Sequence, residues 1–406
     1  MTLPTVASTD NVLPPPIERY TLLGWVYKNL FNPWYNALLT FLAVGLLYAI
    51  GKPTITWAVE QARWEVILVN IRLLMVGQYP VGQVWRIWLC LHLLVAIAGL
   101  SWGVWVHRRY WFWGILFLAA PLALAFSPSM SASLARGHLI ALSVIALVGY
   151  WLGRLGGKRL QRTVINLWML YSPLLILIVR GLTAPEGWFP VVPSSLWGGL
   201  LLTFLLTVVG ILFSFPLGVL LALGRRSRLP IIRWVSIGYI ELVRGVPLVT
   251  ILFMAQIMLP LFLPAGMTVD RVLRAMVGII LFTAAYQAEN IRGGLQAISQ
   301  GQYEAAHALG LSGVQTTLFI ILPQALRNVI PVLVGQFIAL YKDTSLVAIV
   351  GLLDLLGIAK SVVSQPQFIG LQREAYLFVT AIYWLFSYLM AYLSQRLEVA
   401  LGVGER

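Results

Sequence analysis

Glu241 with Arg244, Glu289 with Arg292, and the run Lys342, Asp343, Thr344 and Ser345 put opposite charges and hydroxyls beside or inside long apolar stretches. Ionisable groups next to hydrocarbon are costly unless they pair or face a watery cavity, so they are candidate gate or ligand-path residues. Each of the two i, i+3 pairs shares a helix face. Gln287, two residues before Glu289, offers an amide to the same path or braces the helix end. Lys342 and Asp343 together would suit a ligand that carries both signs of charge, assisted by the Thr344 and Ser345 hydroxyls. Neighbouring helix residues diverge by about 100°, however, so a structural ion pair competes with that role. The single cysteine, Cys90, excludes an internal disulfide and any multi-cysteine metal site.

The elements that position these groups must be membrane helices. Of 406 residues, 60% are hydrophobic and 10% charged, with a mean hydropathy of +0.86. Soluble domains are not built this way. A span needs about 20 mostly apolar residues, and long uninterrupted runs select helices over barrels. Ten spans are expected, near 36–56, 87–106, 111–127, 139–155, 164–180, 196–223, 239–262, 272–291, 327–348 and 374–394, with bounds good to about 2–4 residues. The net charge of +14 comes in short clusters between these runs. They are topology signals and give no basic stripe for nucleic acid. His107-Arg108-Arg109, Arg154 with Lys158, Arg159 and Arg162, and Arg225, Arg226, Arg228 and Arg233 fall in alternate loops, which assigns that side and both termini to the cytoplasm.

Residues 1–35, with Pro14-Pro15-Pro16, have no basic start and apolar core of a cleavable signal, and are expected as a cytoplasmic tail. Residues 36–187 are accessory spans with an outer amphipathic segment at about 57–86, interrupted by Arg63, Glu65, Asn70 and Arg72 and too charged to cross. Trp188-Phe189-Pro190 punctuates the chain, and residues 188–406 form a second half. There, Gly245 and Pro247 break the helix after Glu241 and Arg244, as a gate or cavity would require. Residues 354–372 are expected as an outer polar loop, open to a partner on that side.

Residues 301–323, GQYEAAHALGLSGVQTTLFIILP, cannot be membrane-embedded and predict two short helices about a turn at Gly310. Glu304-Ala305-Ala306, Gly310, Ile320, Leu322 and Pro323 resemble the EAA loop of ABC importer permeases. With ELVRGVP (241–247), AYQAENIRGG (285–294), LPQALRNVIP (322–331) and KDTSL (342–346), the second half is similar to the membrane subunit of general or polar L-amino acid ABC importers. One departure is Ile251, where the wider family often has glutamine, which puts a complete substrate site in this subunit in doubt.

The resemblance implies an all-α polytopic bundle whose C-terminal half is a type I importer core of five helices. It implies a coupling loop at about 300–323, with Glu304, Ala305, Ala306, Gly310 and Leu311 docking on a separate ATPase, and import by alternating access. Expected partners are ATP-binding subunits, a second permease subunit in a heterodimer or a homodimer, an extracytoplasmic binding protein, an L-amino acid and membrane lipid. The expected address is a prokaryotic inner membrane. No GxxxxGK followed by Ser or Thr is present, so this chain is not expected to be an enzyme or to bind a cofactor itself; ATP and Mg belong to the partner. The rival is an ion-coupled secondary transporter, which calls for acidic residues deep in spans and matching broken helices in two halves.

Overall fold

The computed structural model describes residues 22–105, 121–123, 125–126, 133–184, 186–264 and 266–401. The span expected near 111–127 lies largely outside these. The described residues form helices and turns with no β-strand, and separate into two compact units, 1–63 and 64–406.

In the first unit, α1 (Trp34–Thr56) runs on through a π-helical turn to Gln61. None of its residues is buried. A helix apolar on every side finds its solvent in lipid.

The second unit contains α2 (Glu65–Val76), α3 (Trp85–Trp105), α4 (Ser133–Gly156), α5 (Gln161–Arg180), α6 (Gly199–Arg225), α7 (Pro230–Arg244), α8 (Leu248–Leu261), α9 (Arg271–Gln296), α10 (Gln300–Ala308), α11 (Gly313–Val350), α12 (Leu355–Val363) and α13 (Gln372–Leu401). Among the described residues, eight helices are long and apolar enough to cross a bilayer. The α7–α8 pair, bent by 104°, adds a ninth. Gly245 and Pro247 account for the bend, since proline supplies no amide and disfavours a helical residue before it.

α9 is the most buried span and the centre of the core. Small residues let its neighbours close in. A Cβ on Gly218 of α6 would stand 2.8 Å from the Gln287 side chain, and one on Gly294 of α9 would stand 2.8 Å from the Ala325 carbonyl of α11. With α13 outside them, α6, α7–α8, α9, α11 and α13 make the five-membered core. α3 and α4 pack closely through Gly99, Gly103, Gly149 and Gly153.

In the outer amphipathic segment, α2 buries Val66, Ile67, Leu74 and Val76 and exposes Leu68 and Val69. One outer expectation changes. Within the polar loop expected at 354–372, residues 355–363 form α12, which buries Leu355, Ile358, Ala359, Val362 and Val363 against α2 and α13. Its apolar positions follow a helical period that Lys360, Ser364 and Gln365 obscured. At this end, Gly77 (φ 65°) and Gly199 (φ 59°) let three turns meet, and the Gly199 amide donates to the Leu353 carbonyl at 2.8 Å.

Asp354, fully buried, caps α12 by accepting from the Gly357 amide (2.9 Å) and the Leu356 amide (3.2 Å), and also from the Tyr383 hydroxyl (3.2 Å). Burial pushes its carboxyl up to about 6, against the pull of these hydrogen bonds. The folded value lies above the unfolded 3.8, so the fold holds the extra proton and stability falls as pH rises from about 4 through 6. A difference of about two units corresponds to roughly 3 kcal/mol. Asp354→Asn keeps the cap. Thermal unfolding between pH 4.5 and 7 is expected to lose this group's slope in the variant; an unchanged slope would assign the pH dependence elsewhere.

Candidate functional site

The 301–323 stretch forms one short helix, α10, and then the opening turns of α11, a 38-residue helix. This corrects the expectation of two short helices: the apolar Leu318–Leu322 run carries the second one straight into a span. At the turn, Gly310 (φ 79°) donates to the His307 carbonyl at 2.9 Å, and Leu311 donates to the Ala306 carbonyl at 3.2 Å. That is a Schellman ending, whose left-handed residue favours glycine. Ser312 and Gln315 then exchange side-chain and backbone hydrogen bonds in a capping box.

α10 turns one face inward and presents the other. Ala306 is buried, Tyr303 and Leu311 are half-buried, and Glu304, Ala305, His307, Leu309 and Gly310 are exposed. The inner face is tethered: the Gln324 amide donates to the Gln302 side chain at 3.1 Å, and the Arg226 guanidinium lies 5.9 Å from the Tyr303 ring centre. Arg226 also donates to the Leu295 carbonyl at 3.3 Å.

Its neighbour Arg225, at the end of α6, enters a charge cluster that joins three helices. Arg225 contacts Glu241 of α7 at 2.8 Å and Glu289 of α9 at 3.5 Å. Arg244 reaches Glu289 at 3.8 Å, and the Arg292 Nε donates to both Glu289 oxygens, at 2.9 and 3.0 Å. Three guanidiniums thus surround Glu289. Arg225 and Arg244 stand in the last turns of α6 and α7, where the helix dipole favours cations. Glu289 and Arg292 pair along α9, as their spacing suggests. Glu241 and Arg244 share a face but bond to other helices. The sequence marked Arg225 and Arg226 only as topology signals; with each glutamate already matched to an arginine three residues on, nothing local pointed to a third basic partner.

The arrangement links an exposed loop helix, through two consecutive arginines, to the base of a broken span. It can transmit displacement, and no group of three or more His, Cys, Asp or Glu side chains placed to hold a metal ion occurs among the described residues. Comparison with known proteins identifies the setting. Residues 214–401 match the family described as the binding-protein-dependent transport system inner membrane component. The inner membrane amino-acid ABC transporter permease protein YhdY of Escherichia coli K12 is 39% identical over 397 residues, covering 94% of this chain and 93% of that protein. The chain belongs to the amino-acid ABC transporter permeases.

The permease is also 37% identical to the glutamate/glutamine/aspartate/asparagine transport system permease protein BztC of Rhodobacter capsulatus, with 95% of both chains covered. The shorter glutamate/aspartate import permease protein GltK of Escherichia coli O6:H1 is 36% identical over 97% of its own length but only 52% of this chain. Nearly all of that protein is thus matched by about half of this permease. The family, together with the apolar helices, makes this a multi-pass inner-membrane protein and implies ATP-binding and substrate-binding partners.

The other expected site residues are not gathered in the cluster. Gln287 is fully buried, and its amide donates to the Ser214 hydroxyl at 2.9 Å, so it fastens α9 to α6. Thr344 is buried and donates to the Tyr341 carbonyl at 2.7 Å. Lys342 is exposed, Asp343 and Ser345 are half-buried, and no ion pair joins Lys342 to Asp343 among the described residues. Ile251 lies against Gly278 of α9.

Proposed function

We propose that this permease takes up polar L-amino acids across the inner membrane by alternating access, driven by a separate ATPase that docks on α10. The observation that carries this reading is the tie between α10 and the charge cluster through Arg226 and Arg225. An ATPase that moved Glu304, Ala305 and Leu309 would pull on Tyr303 and Ala306, and so on the end of α6. Arg225 would pass the movement to Glu241 and Glu289, at the break between α7 and α8. Hinges of this kind absorb backbone rotation while packed helices move as bodies.

Lys342 and Asp343 remain the candidate substrate-path pair, with Thr344 and Ser345 behind them. The relatives named for glutamate, glutamine, aspartate and asparagine make the dicarboxylic acids and their amides the first substrates to test. One coupling loop per chain calls for a second permease subunit, in our reading a different chain. An extracytoplasmic binding protein would deliver the amino acid at the end opposite α10, with both termini on the α10 side.

The test is uptake of labelled L-glutamate, L-glutamine, L-aspartate and L-asparagine into proteoliposomes holding the whole complex, with ATP inside and ion gradients dissipated. Accumulation is expected for at least one of them when binding protein is outside. Uptake that needs an ion gradient and ignores ATP would establish the secondary transporter instead.

A further inference from the structure

Arg86 opens α3 at the end of the bundle away from α10, and it is fully buried. Its Nη1 donates to the Pro190 carbonyl at 2.9 Å. The guanidinium lies 4.1 Å from the Phe189 ring centre and 5.7 Å from that of Trp85. Its Nε and Nη2, both buried, make no hydrogen bond of good geometry, the neighbouring side-chain oxygen being the Tyr79 hydroxyl. Those two groups form one edge of the guanidinium, the edge that presents parallel N–H donors to a carboxylate or phosphate. Arginine keeps its charge at any depth, and a buried charge calls for a counter-ion. No ion pair supplies one among the described residues.

The nearest acidic hydrogen does not fill the gap. Burial holds the Tyr79 phenol up to about 12, with Arg86 pulling the other way, and its hydroxyl donates to the Val179 carbonyl at 2.8 Å. Tyr79 is therefore neutral beside a full positive charge. The cover over the site is aromatic: Phe189 is buried on the guanidinium, and Trp188 beside it is 85% exposed. Exposed indoles of this kind sit at the level of lipid headgroups.

We propose that the Nε–Nη2 edge of Arg86 is a binding site for an oxyanion, a phosphate or carboxylate group held side-on beneath Phe189. The site lies outside the transport core and does not depend on the import reading. A bound anion would neutralise Arg86 and fasten α3 to the 181–192 loop, so its occupancy would be read as stability.

The experiment uses the whole permease, purified in a maltoside detergent and washed free of lipid. Its thermal unfolding midpoint is followed against inorganic phosphate, short-chain phosphatidylglycerol, sodium glutamate and an uncharged diacylglycerol. A saturable rise of about 2 °C or more is expected with at least one anion and not with diacylglycerol. A response to phosphatidylglycerol alone names a lipid headgroup, and a response to phosphate or glutamate names a free anion. R86Q is expected to lose the response. R86K, which keeps a charge without the fork, is expected to need at least roughly tenfold more anion for half-saturation. No shift in the wild type, or an equal shift in R86Q, would overturn the proposal. Where R86Q does not accumulate, a wild-type response in R86K would overturn it equally.

Discussion

Replacing Glu289 by alanine is expected to abolish coupled uptake and to weaken the fold by about 2–3 kcal/mol. The figure is set below the 3–5 kcal/mol cited for breaking a fully buried pair, because the Glu289 side chain is 21% exposed and its arginine partners 24–34%, and water screens part of the loss. Removing that carboxylate leaves Arg292 without its forked partner and Arg244 without its ionic one, while Arg225 retains Glu241. Glu289→Gln keeps an acceptor and is expected to cost less than half as much. Unfolding midpoints, with uptake measured per assembled complex, separate the two effects. Normal uptake in an assembled Glu289→Ala complex would remove the cluster from the coupling route.

Gly199→Val is expected to be the most destabilising single change at the other end. Its φ of 59° is strained for any side chain, and a Cβ there would stand 2.2 Å from the Leu74 carbonyl. Left-handed strain and overpacking cost about 1–3 kcal/mol each, so a total of about 3–5 kcal/mol is expected. The amount of folded permease in the membrane should fall sharply, while the molecules that do fold should transport normally. A variant as abundant as the wild type would mean that α2 and α12 close over a looser joint than the geometry implies.

Much of this could be read before the structure. Span lengths and the helix break at Gly245 and Pro247 follow from apolar runs and backbone chemistry, which are local. The turn at Gly310 was equally legible, because Gly310 and Ser312 encode their own termination and capping. Contacts between distant segments were not legible. Arg225 lies 64 residues from Glu289, and nothing local distinguishes it from the other loop arginines that set topology. α12 was hidden for the opposite reason: Asp354, Lys360, Ser361, Ser364 and Gln365 make the stretch around it look polar, while burial is decided by the period of Leu355, Ile358, Ala359, Val362 and Val363. Arg86, at the edge of the outer segment, is buried where aromatic faces and a carbonyl receive it.

In the proposed mechanism α10 carries the ATPase's work into the bundle. Glu304→Lys in the reconstituted complex tests this, with ATP hydrolysis, amino-acid uptake and subunit assembly measured on one preparation. Glu304 is exposed and makes no ion pair among the described residues, so the substitution leaves the bundle intact. Uptake and binding-protein-stimulated hydrolysis are predicted to fall at least roughly tenfold together, equivalent to about 1.4 kcal/mol or more in the coupled step, with the membrane subunits still assembled. Wild-type uptake in that variant would contradict the account.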